Sequence, residues 1–150
     1  MKPSATLLRV LDANLNRARE GLRVCEDLIR FDGAGRRQVE RLRGIRHALT
    51  RCVQALPVSH VDLLRARDSR RDAGRWLYPS SVESPDQLLL LNLQRAKEAM
   101  RVIEESVRVL APPSVTRFQQ LRFRLYDAER DVLLDVAVVR HRGRRSRQGT

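Results

Sequence analysis

The amino-acid sequence predicts an all-α protein, a four-helix bundle built from a duplicated helical hairpin. Three observations lead to this prediction. The stretch from Asn14 to Phe31 (NLNRAREGLRVCEDLIRF) recurs without gaps 78 residues later, from Asn92 to Val109 (NLQRAKEAMRVIEESVRV), with nine identical positions. Apolar residues recur at helical spacing through four segments. Segments rich in glycine or proline separate these four segments, as expected of helix ends.

The first helix is predicted from Thr6 to about Phe31. On a helical wheel, six apolar residues gather on one face: Leu11, Leu15, Ala18, Leu22, Cys25 and Ile29. A stripe along one edge of that face contains Asn14, Arg17 and Gly21, followed by Leu28. Glu20 lies just beyond this stripe. The segment 32–35, Asp-Gly-Ala-Gly, is a typical helix stop because glycine readily adopts the left-handed conformation.

Three more helices are predicted: about Arg37 to Leu56, about Pro85 to Leu110 and about Val115 to Val139. Ser84 is a good N-cap for the third, with proline at the first helical position. The segment 132–139 contains enough β-branched residues that a strand is an alternative there. The connection between the second and third helices contains a charged segment, 65–78, and a polar linker, 79–85.

The duplication extends beyond the first and third helices. Val39, Leu42 and Arg43 of the second helix match Phe118, Leu121 and Arg122 of the fourth at an offset of 79, and His47 then matches Tyr126. We therefore expect one helical domain, residues 1–139, made of pseudo-repeats of about 1–78 and 79–139. The arginine-rich residues 140–150 are expected to be a disordered tail.

The composition is that of a soluble globular protein with a strong positive charge. The net charge is +12, of which the tail contributes five arginines, and 28 of the 30 basic residues are arginine. Arginine binds phosphate through two parallel hydrogen bonds, although genomic base composition explains the bias equally well. No apolar run approaches the length of about 20 residues that spans a membrane. Arg9 and Asp12 interrupt any signal-peptide core, so we expect a cytoplasmic protein.

The polar edge stripe is the first candidate site. It recurs on the third helix as Asn92, Arg95 and Ala99, where the small residue Ala99 takes the place of Gly21. The space beside such a small residue can admit either a ligand or the backbone of a neighbouring helix. Residues that only form solvated ion pairs contribute little to stability, so they would be expected to change after a duplication. The retention of these polar residues in both copies therefore favours a functional stripe.

The charged segment 65–78 is the second candidate site. It contains Asp68 and Asp72 among the arginines at positions 65, 67, 70, 71 and 75. Carboxylates that bind Mg²⁺ and arginines that neutralise phosphate oxygens are the groups that phosphoryl transfer requires. The alternative is an ordinary solvated loop, and the sequence contains neither a Walker A motif nor a kinase-type glycine-rich loop.

Other functions have weaker support. The basic tail resembles a non-specific phosphate-binding arm, but no nucleic-acid-reading module is recognisable and aromatic residues are scarce, so nucleic acid is an unlikely partner. The three histidines lack metal-ligand spacing. Cys25 replaces an isoleucine of the second copy, which indicates a small buried apolar residue.

Four blocks of the sequence resemble the small hydroxymethylpyrimidine-phosphate kinase domain of thiamine biosynthesis: LDANLNRAREGLRVCEDLIRF, ARDSRRDAG, NLQRAKEAMRVIEESVRV and FQQLRFRLYDAERDVL. They occur in order from about Leu11 to Leu133. This family occurs alone or fused to the N-terminus of thiamine-phosphate synthase, and the present chain resembles the standalone form or an excised domain. Ser69 and Ala73 replace the threonine and valine that the family tends to have, and the hydroxyl group is retained.

The resemblance implies transfer of the ATP γ-phosphoryl group to 4-amino-5-hydroxymethyl-2-methylpyrimidine phosphate, with little activity on the unphosphorylated alcohol. It implies ATP as co-substrate, Mg²⁺ as cofactor and a functional link to thiamine-phosphate synthase. A non-catalytic helical module that binds a phosphorylated metabolite, a partner protein or nucleic acid is the alternative. A homodimer is possible if an apolar face of the bundle is left exposed, although the sequence does not fix the oligomeric state.

We assign residue roles from this chemistry. Asn14, Arg17, Asn92 and Arg95 are expected to line a pocket between the first and third helices, either one shared pocket or one for each copy. Gly21 and Tyr126 are also expected near the substrate. Arg43, Arg67 and Arg122 are expected to hold phosphates, and Asp68 and Asp72 to bind Mg²⁺. Arg67 and Asp72 are the expected catalytic residues. Glu20 and Glu98 are further candidates for the metal or for the pyrimidine amino group.

Overall fold

The computed structural model describes the backbone of residues 2–33 and 35–147 and the side chains of 2–33 and 35–137. Five helices follow in order: α1 (Ala5–Phe31), α2 (Arg36–Gln54), α3 (His60–Ala66), α4 (Pro85–Leu110) and α5 (Val115–Arg147). Short 3₁₀ turns occupy Ala73–Trp76 and Pro112–Ser114. The described residues contain no strand, so the all-α prediction is confirmed and the strand alternative for 132–139 is excluded.

The four long helices correspond to the four predicted ones, and α3 is a short addition in the connection between α2 and α4. α5 continues to Arg147, beyond the end predicted near Val139. The segment 140–150 was predicted to be disordered, but its backbone is helical as far as Arg147, and residues 148–150 lie outside the described residues. The domain boundaries remain a prediction. Within the described chain, no helix is both long and apolar enough to cross a membrane.

The central interface of the bundle is the antiparallel packing of α1 on α4. A Cβ atom on Gly21 would lie 3.1 Å from the backbone oxygen of Asn92 and 3.6 Å from the Cβ of Ala96. One turn further along α1, the Cys25 thiol lies 3.8 Å from the carbonyl oxygen of Leu89. Residue numbers therefore increase along α1 in the direction in which they decrease along α4, so the two helices are antiparallel. The small residue of the edge stripe lets the two helix backbones approach closely.

The remaining helices complete a closed bundle around this interface. α2 packs against α1 and α5, α5 packs against α4, and α3 packs on the outside of α1. The interior is aliphatic, as the scarcity of aromatic residues predicted, and Leu11, Leu22, Leu42, Ile103 and Leu125 are among its fully buried side chains. Cys25 is fully buried, and burial raises the pKa of its thiol to about 12. The thiol therefore stays protonated at neutral pH, in agreement with the predicted apolar role.

The helix ends follow local sequence signals. The Ser84 hydroxyl accepts a hydrogen bond from the backbone N–H of Gln87 at 3.2 Å, and Pro85 occupies the first position of α4, as predicted. Gly33 and Gly35 have positive φ angles of 77° and 100° in the connection between α1 and α2. Residues with a side chain rarely adopt these backbone conformations, which explains the glycines between α1 and α2.

Two ion pairs with buried glutamates show how the repeats superimpose. Arg46 of α2 donates two hydrogen bonds to Glu26 of α1, and Arg122 of α5 donates two to Glu104 of α4. The two glutamates are related by the offset of 78, whereas the two arginines are related by 76. The predicted match of Arg43 with Arg122 is therefore wrong, because the structural counterpart of Arg122 is Arg46. The match of His47 with Tyr126 shifts in the same way, by one helical turn.

The close approach at Gly21 predicts opposite effects for substitutions at two helical glycines. Gly21→Leu should lower the free energy of unfolding by about 1–3 kcal/mol, because the larger side chain meets the α4 backbone. Gly44→Ala on α2 is the control, since a Cβ there has nothing within 4 Å. That change should raise stability by up to about 1 kcal/mol through helix propensity alone. Urea denaturation followed by circular dichroism measures both, and equal effects would contradict the proposed packing at Gly21.

Candidate functional site

A cleft of about 400 Å³ lies between the N-terminal half of α1 and the loop that follows α3. Its lining comes from α1 (Thr6, Arg9, Val10, Asp12, Ala13, Asn14, Asn16 and Arg17) and from the loop (Arg67, Asp68, Ser69 and Asp72). The two candidate sites of the sequence, the edge stripe and the charged segment, thus share one cavity. The sequence predicted both sets separately but did not predict that they meet.

An ion pair between Asp12 and Arg67 joins the two walls of the cleft. The Arg67 guanidinium donates two hydrogen bonds to the Asp12 carboxylate, at 2.7 and 2.8 Å. Asp12 is only 6% exposed, and the bonds it accepts raise the pKa of Arg67. Because the pair is bidentate and its acid is buried, it fixes the start of the loop on α1. Asp12 was not among the predicted site residues, although it lies within the DANLNR block.

Asn14 is held rigidly in the wall of the cleft. Its side-chain amide donates to the carbonyl oxygen of Val10 at 2.8 Å, one turn earlier on α1. Asn92 makes the same bond to Leu88 at 2.9 Å on α4, so the duplicated asparagines share a local geometry. Both are buried, but only Asn14 lines the cleft.

Two further arginines line the cleft on α1. Arg9 and Arg17 are exposed, and neither takes part in an ion pair among the described residues. Cations that protein carboxylates do not neutralise attract anions, and guanidinium groups suit phosphate in particular. Arg17 was predicted to bind substrate, whereas Arg9 was noted only as an interruption of the apolar N-terminus. At 100° per residue Arg9 lies about 140° from Asn14 on the helical wheel, so helical spacing does not group it with the stripe.

The loop carboxylates are organised by their own loop. Asp68 pairs with Arg71 at 2.9 Å, and Asp72 accepts a hydrogen bond from the backbone N–H of Gly74 at 2.8 Å. Within the described chain, no cluster of three or more histidine, cysteine or acidic residues forms a ready metal site. Two carboxylates nevertheless fit Mg²⁺, which takes one or two from the protein and completes its octahedron with water and phosphate oxygens.

The structure does not bring the second copy of the stripe into the cleft. The backbone of Asn92 contacts Gly21, which lies seven residues or about 10 Å along α1 from Asn14. At Gly21 the two helices are in direct contact, so the two stripes do not enclose an open space between α1 and α4 at this point. Arg95 and Glu98 are exposed on α4, outside the cleft lining, and Glu98 accepts a hydrogen bond from Gln94. Gly21 faces a helix backbone rather than an open space.

Arg122 and Tyr126 also lie apart from the cleft, on α5. Arg122 is 7% exposed, and it donates to Glu104 and to the Tyr126 hydroxyl at 2.9 Å. The hydrogen bonds to Glu104 raise the pKa of Arg122, and this pairing leaves the guanidinium engaged inside the bundle. Arg43 and Glu20 are exposed, and neither lines the cleft. Of the predicted site residues, the cleft therefore unites Asn14, Arg17, Arg67, Asp68 and Asp72.

The different environments of Arg122 and Arg43 predict different effects on stability. Arg122→Ala should lower the free energy of unfolding by about 3 kcal/mol, because it leaves Glu104 buried without its partner. Arg43→Ala, an exposed change on α2, should stay within about 0.5 kcal/mol. Thermal and urea denaturation of the two variants provide the measurement. A stable Arg122→Ala protein would show that the ion pair is not structural.

Comparison with known proteins places these residues in a family. The ThiD2 family model matches residues 9–131. Proteins named thiamine-phosphate synthase are similar to the chain, with 39% identity in Synechococcus sp. (strain CC9605), 36% in Gloeobacter violaceus and 39% in Synechocystis sp.. The alignments cover 82–85% of this chain but only 35–37% of each relative, so the chain spans about a third of their length. No solved structure matches the chain significantly.

Proposed function

Because the chain belongs to the ThiD2 family, we propose that it acts in thiamine biosynthesis, as the kinase that phosphorylates 4-amino-5-hydroxymethyl-2-methylpyrimidine phosphate with ATP. The similarity to thiamine-phosphate synthases supports the pathway. The observation that carries the reaction type is the cleft, whose lining combines two loop carboxylates with α1 arginines that form no ion pair with any described residue. This combination suits a site at which several phosphate groups and a divalent cation meet.

The proposed reaction transfers a phosphoryl group between two phosphates. An oxygen of the pyrimidine monophosphate attacks the γ-phosphorus of ATP, the bond from that phosphorus to the β–γ bridging oxygen breaks, and ADP leaves. The attacking phosphate oxygen is already ionised at neutral pH, so the step needs no strong general base. Catalysis then depends on positioning and on neutralising charge, which are the tasks that arginine performs well.

Individual residues take distinct roles in this proposal. Arg9 and Arg17 hold phosphate oxygens from the α1 side, and Asn14 forms a fixed polar wall between them and the core. Arg67 presents its remaining N–H groups to phosphate while two others stay on Asp12. Asp68 and Asp72 would hold Mg²⁺, which neutralises phosphate charge when bound. The pairing of Asp68 with Arg71 is exposed on the arginine side, and a cation can displace it at small cost.

The first prediction for this function concerns Asp72. Asp72→Asn should reduce turnover at least a hundredfold, because it removes a charge that the metal–phosphate complex requires, while circular dichroism stays unchanged. Asp127→Asn, an exposed carboxylate of α5 outside the cleft, is the matched control and should keep the parent rate. A coupled ADP-release assay with the pyrimidine monophosphate, run against the free alcohol, measures both. Wild-type turnover by Asp72→Asn would refute the loop assignment.

The second prediction concerns the ion pair that joins the cleft walls. Asp12→Asn keeps the size of the side chain but removes the charge that orients Arg67. We expect kcat/KM to fall by about 10²-fold, since displacement of a positioning group by about 1 Å has effects of that size. Arg67→Lys should give a similar loss, because lysine cannot form the bidentate contact. If kcat/KM of the double variant is no lower than that of either single variant, the two residues act as one unit. If the two losses in kcat/KM multiply, the residues are not coupled.

A further inference from the structure

Three consecutive large apolar side chains stand in solvent directly after the cleft loop. Trp76, Leu77 and Tyr78 are 68%, 78% and 85% exposed. Large apolar groups are normally withdrawn from water, so a consecutive exposed set next to a binding site marks a surface with a partner or ligand. No aromatic stacking or cation–π contact holds any of these rings in the part of the chain that the structure describes.

The turn that carries Trp76 is built on the residues that line the cleft. The Asp72 carboxylate caps the 3₁₀ turn Ala73–Trp76 through its bond to the Gly74 N–H, and the Arg75 N–H donates to the Asp72 carbonyl oxygen at 3.1 Å. The Arg75 side chain donates to the carbonyl oxygen of Ser69 at 3.3 Å, which ties the turn back to the loop. Four residues of 3₁₀ helix place Trp76 about 8 Å from Asp72 along the turn.

The cleft itself lacks a surface for an aromatic ring. Its twelve lining residues include arginines, carboxylates, amides and small side chains, but no phenylalanine, tyrosine or tryptophan. Both substrates of the proposed reaction contain a planar heteroaromatic ring attached to phosphate. A ring whose phosphates lie on Arg9, Arg17 and Arg67 finds no aromatic partner among the described lining residues of the cleft. An indole at the rim removes one face of such a ring from water and stacks on it.

We propose that Trp76 is a substrate-binding residue that stacks on the heteroaromatic ring of a phosphorylated ligand whose phosphate lies in the cleft. The proposal rests on the proposed function for the identity of the ligand, either the pyrimidine monophosphate or ATP. The shared chemistry is a flat nitrogen heterocycle that bears phosphate. The indole is exposed and lies on the turn that the cleft residue Asp72 caps, so a ring bound at the edge of the cleft is the ligand group nearest to it along the chain.

The protein contains its own probe for this test, because Trp76 is the single tryptophan of the chain. Tryptophan emission is recorded while the full chain is titrated separately with the pyrimidine monophosphate, with a non-hydrolysable ATP analogue and with inorganic pyrophosphate, which has phosphates but no ring. Binding of each is measured independently by calorimetry. We expect at least one of the two ring-bearing ligands to quench the emission on binding, and pyrophosphate to bind without comparable quenching. The separate titrations show which ring is stacked.

Substitutions then measure the contribution of the ring. Trp76→Leu keeps apolar bulk but cannot stack, and should raise the Kd of the quenching ligand about tenfold or more, whereas Trp76→Phe should stay near the parent value. Tyr78→Leu, the aromatic residue two positions later, is the matched control and should leave Kd unchanged. Unaltered emission at saturation, or parent affinity in Trp76→Leu, overturns the proposal.

The two proposals fail in distinguishable ways. Quenching by a ring-bearing phosphate without turnover refutes the kinase and leaves the role of Trp76 standing. Turnover with unaltered emission leaves the kinase standing and refutes the role of Trp76. If no ring-bearing phosphate binds in calorimetry, both are refuted.

Discussion

The close packing of α1 on α4 is the constraint on which the rest of the structure depends. Because residue 21 is glycine, the two helix backbones lie so close together that a Cβ atom there would contact the Asn92 carbonyl oxygen. These are the two copies of the duplicated helix, so the fold is organised around the contact of a sequence with its own repeat. α2 and α5 then close the bundle on either side, and each covers the helix that precedes it. The same contact excludes a ligand from the space between the copies.

The duplicated polar residues consequently divide into structural and site-forming sets. Glu26 and Glu104 each accept hydrogen bonds from an arginine of the following long helix, and each pair stabilises the hairpin of its own repeat. A buried carboxylate without such a partner is strongly unfavourable, which gives a physical reason for their retention. Asn14 and Asn92 make identical bonds to their own helices. Among the described residues, a charged loop lines a cleft beside Asn14, whereas Asn92 lies outside that cleft.

The Asp12–Arg67 pair accounts for this asymmetry. It joins α1 to the loop after α3, and with Arg67 fixed, Asp68 and Asp72 face the arginines of α1 across the cleft. At the position of Asp12 the second copy has Leu90, which cannot anchor an arginine in this way. The candidate site therefore depends on a position at which the two copies differ. The proposed kinase chemistry and the proposed role of Trp76 both use the loop that this pair positions.

The sequence by itself determined the helical class, the four long helices and the duplication, because apolar spacing and helix-end signals are local and survive in a single chain. It also identified Asn14, Arg17, Arg67, Asp68 and Asp72 as chemically suitable residues. Only the tertiary structure decided that these five share one cleft, that Gly21 serves helix packing, and that Arg122 is held in a buried ion pair. Those outcomes depend on which helix faces approach each other and on an offset of 76 rather than 79 between α2 and α5. Contacts between residues distant in the chain produce no periodic pattern in the sequence. The difference between Asp12 and Leu90 can be interpreted only once the structure shows that Asp12 contacts Arg67.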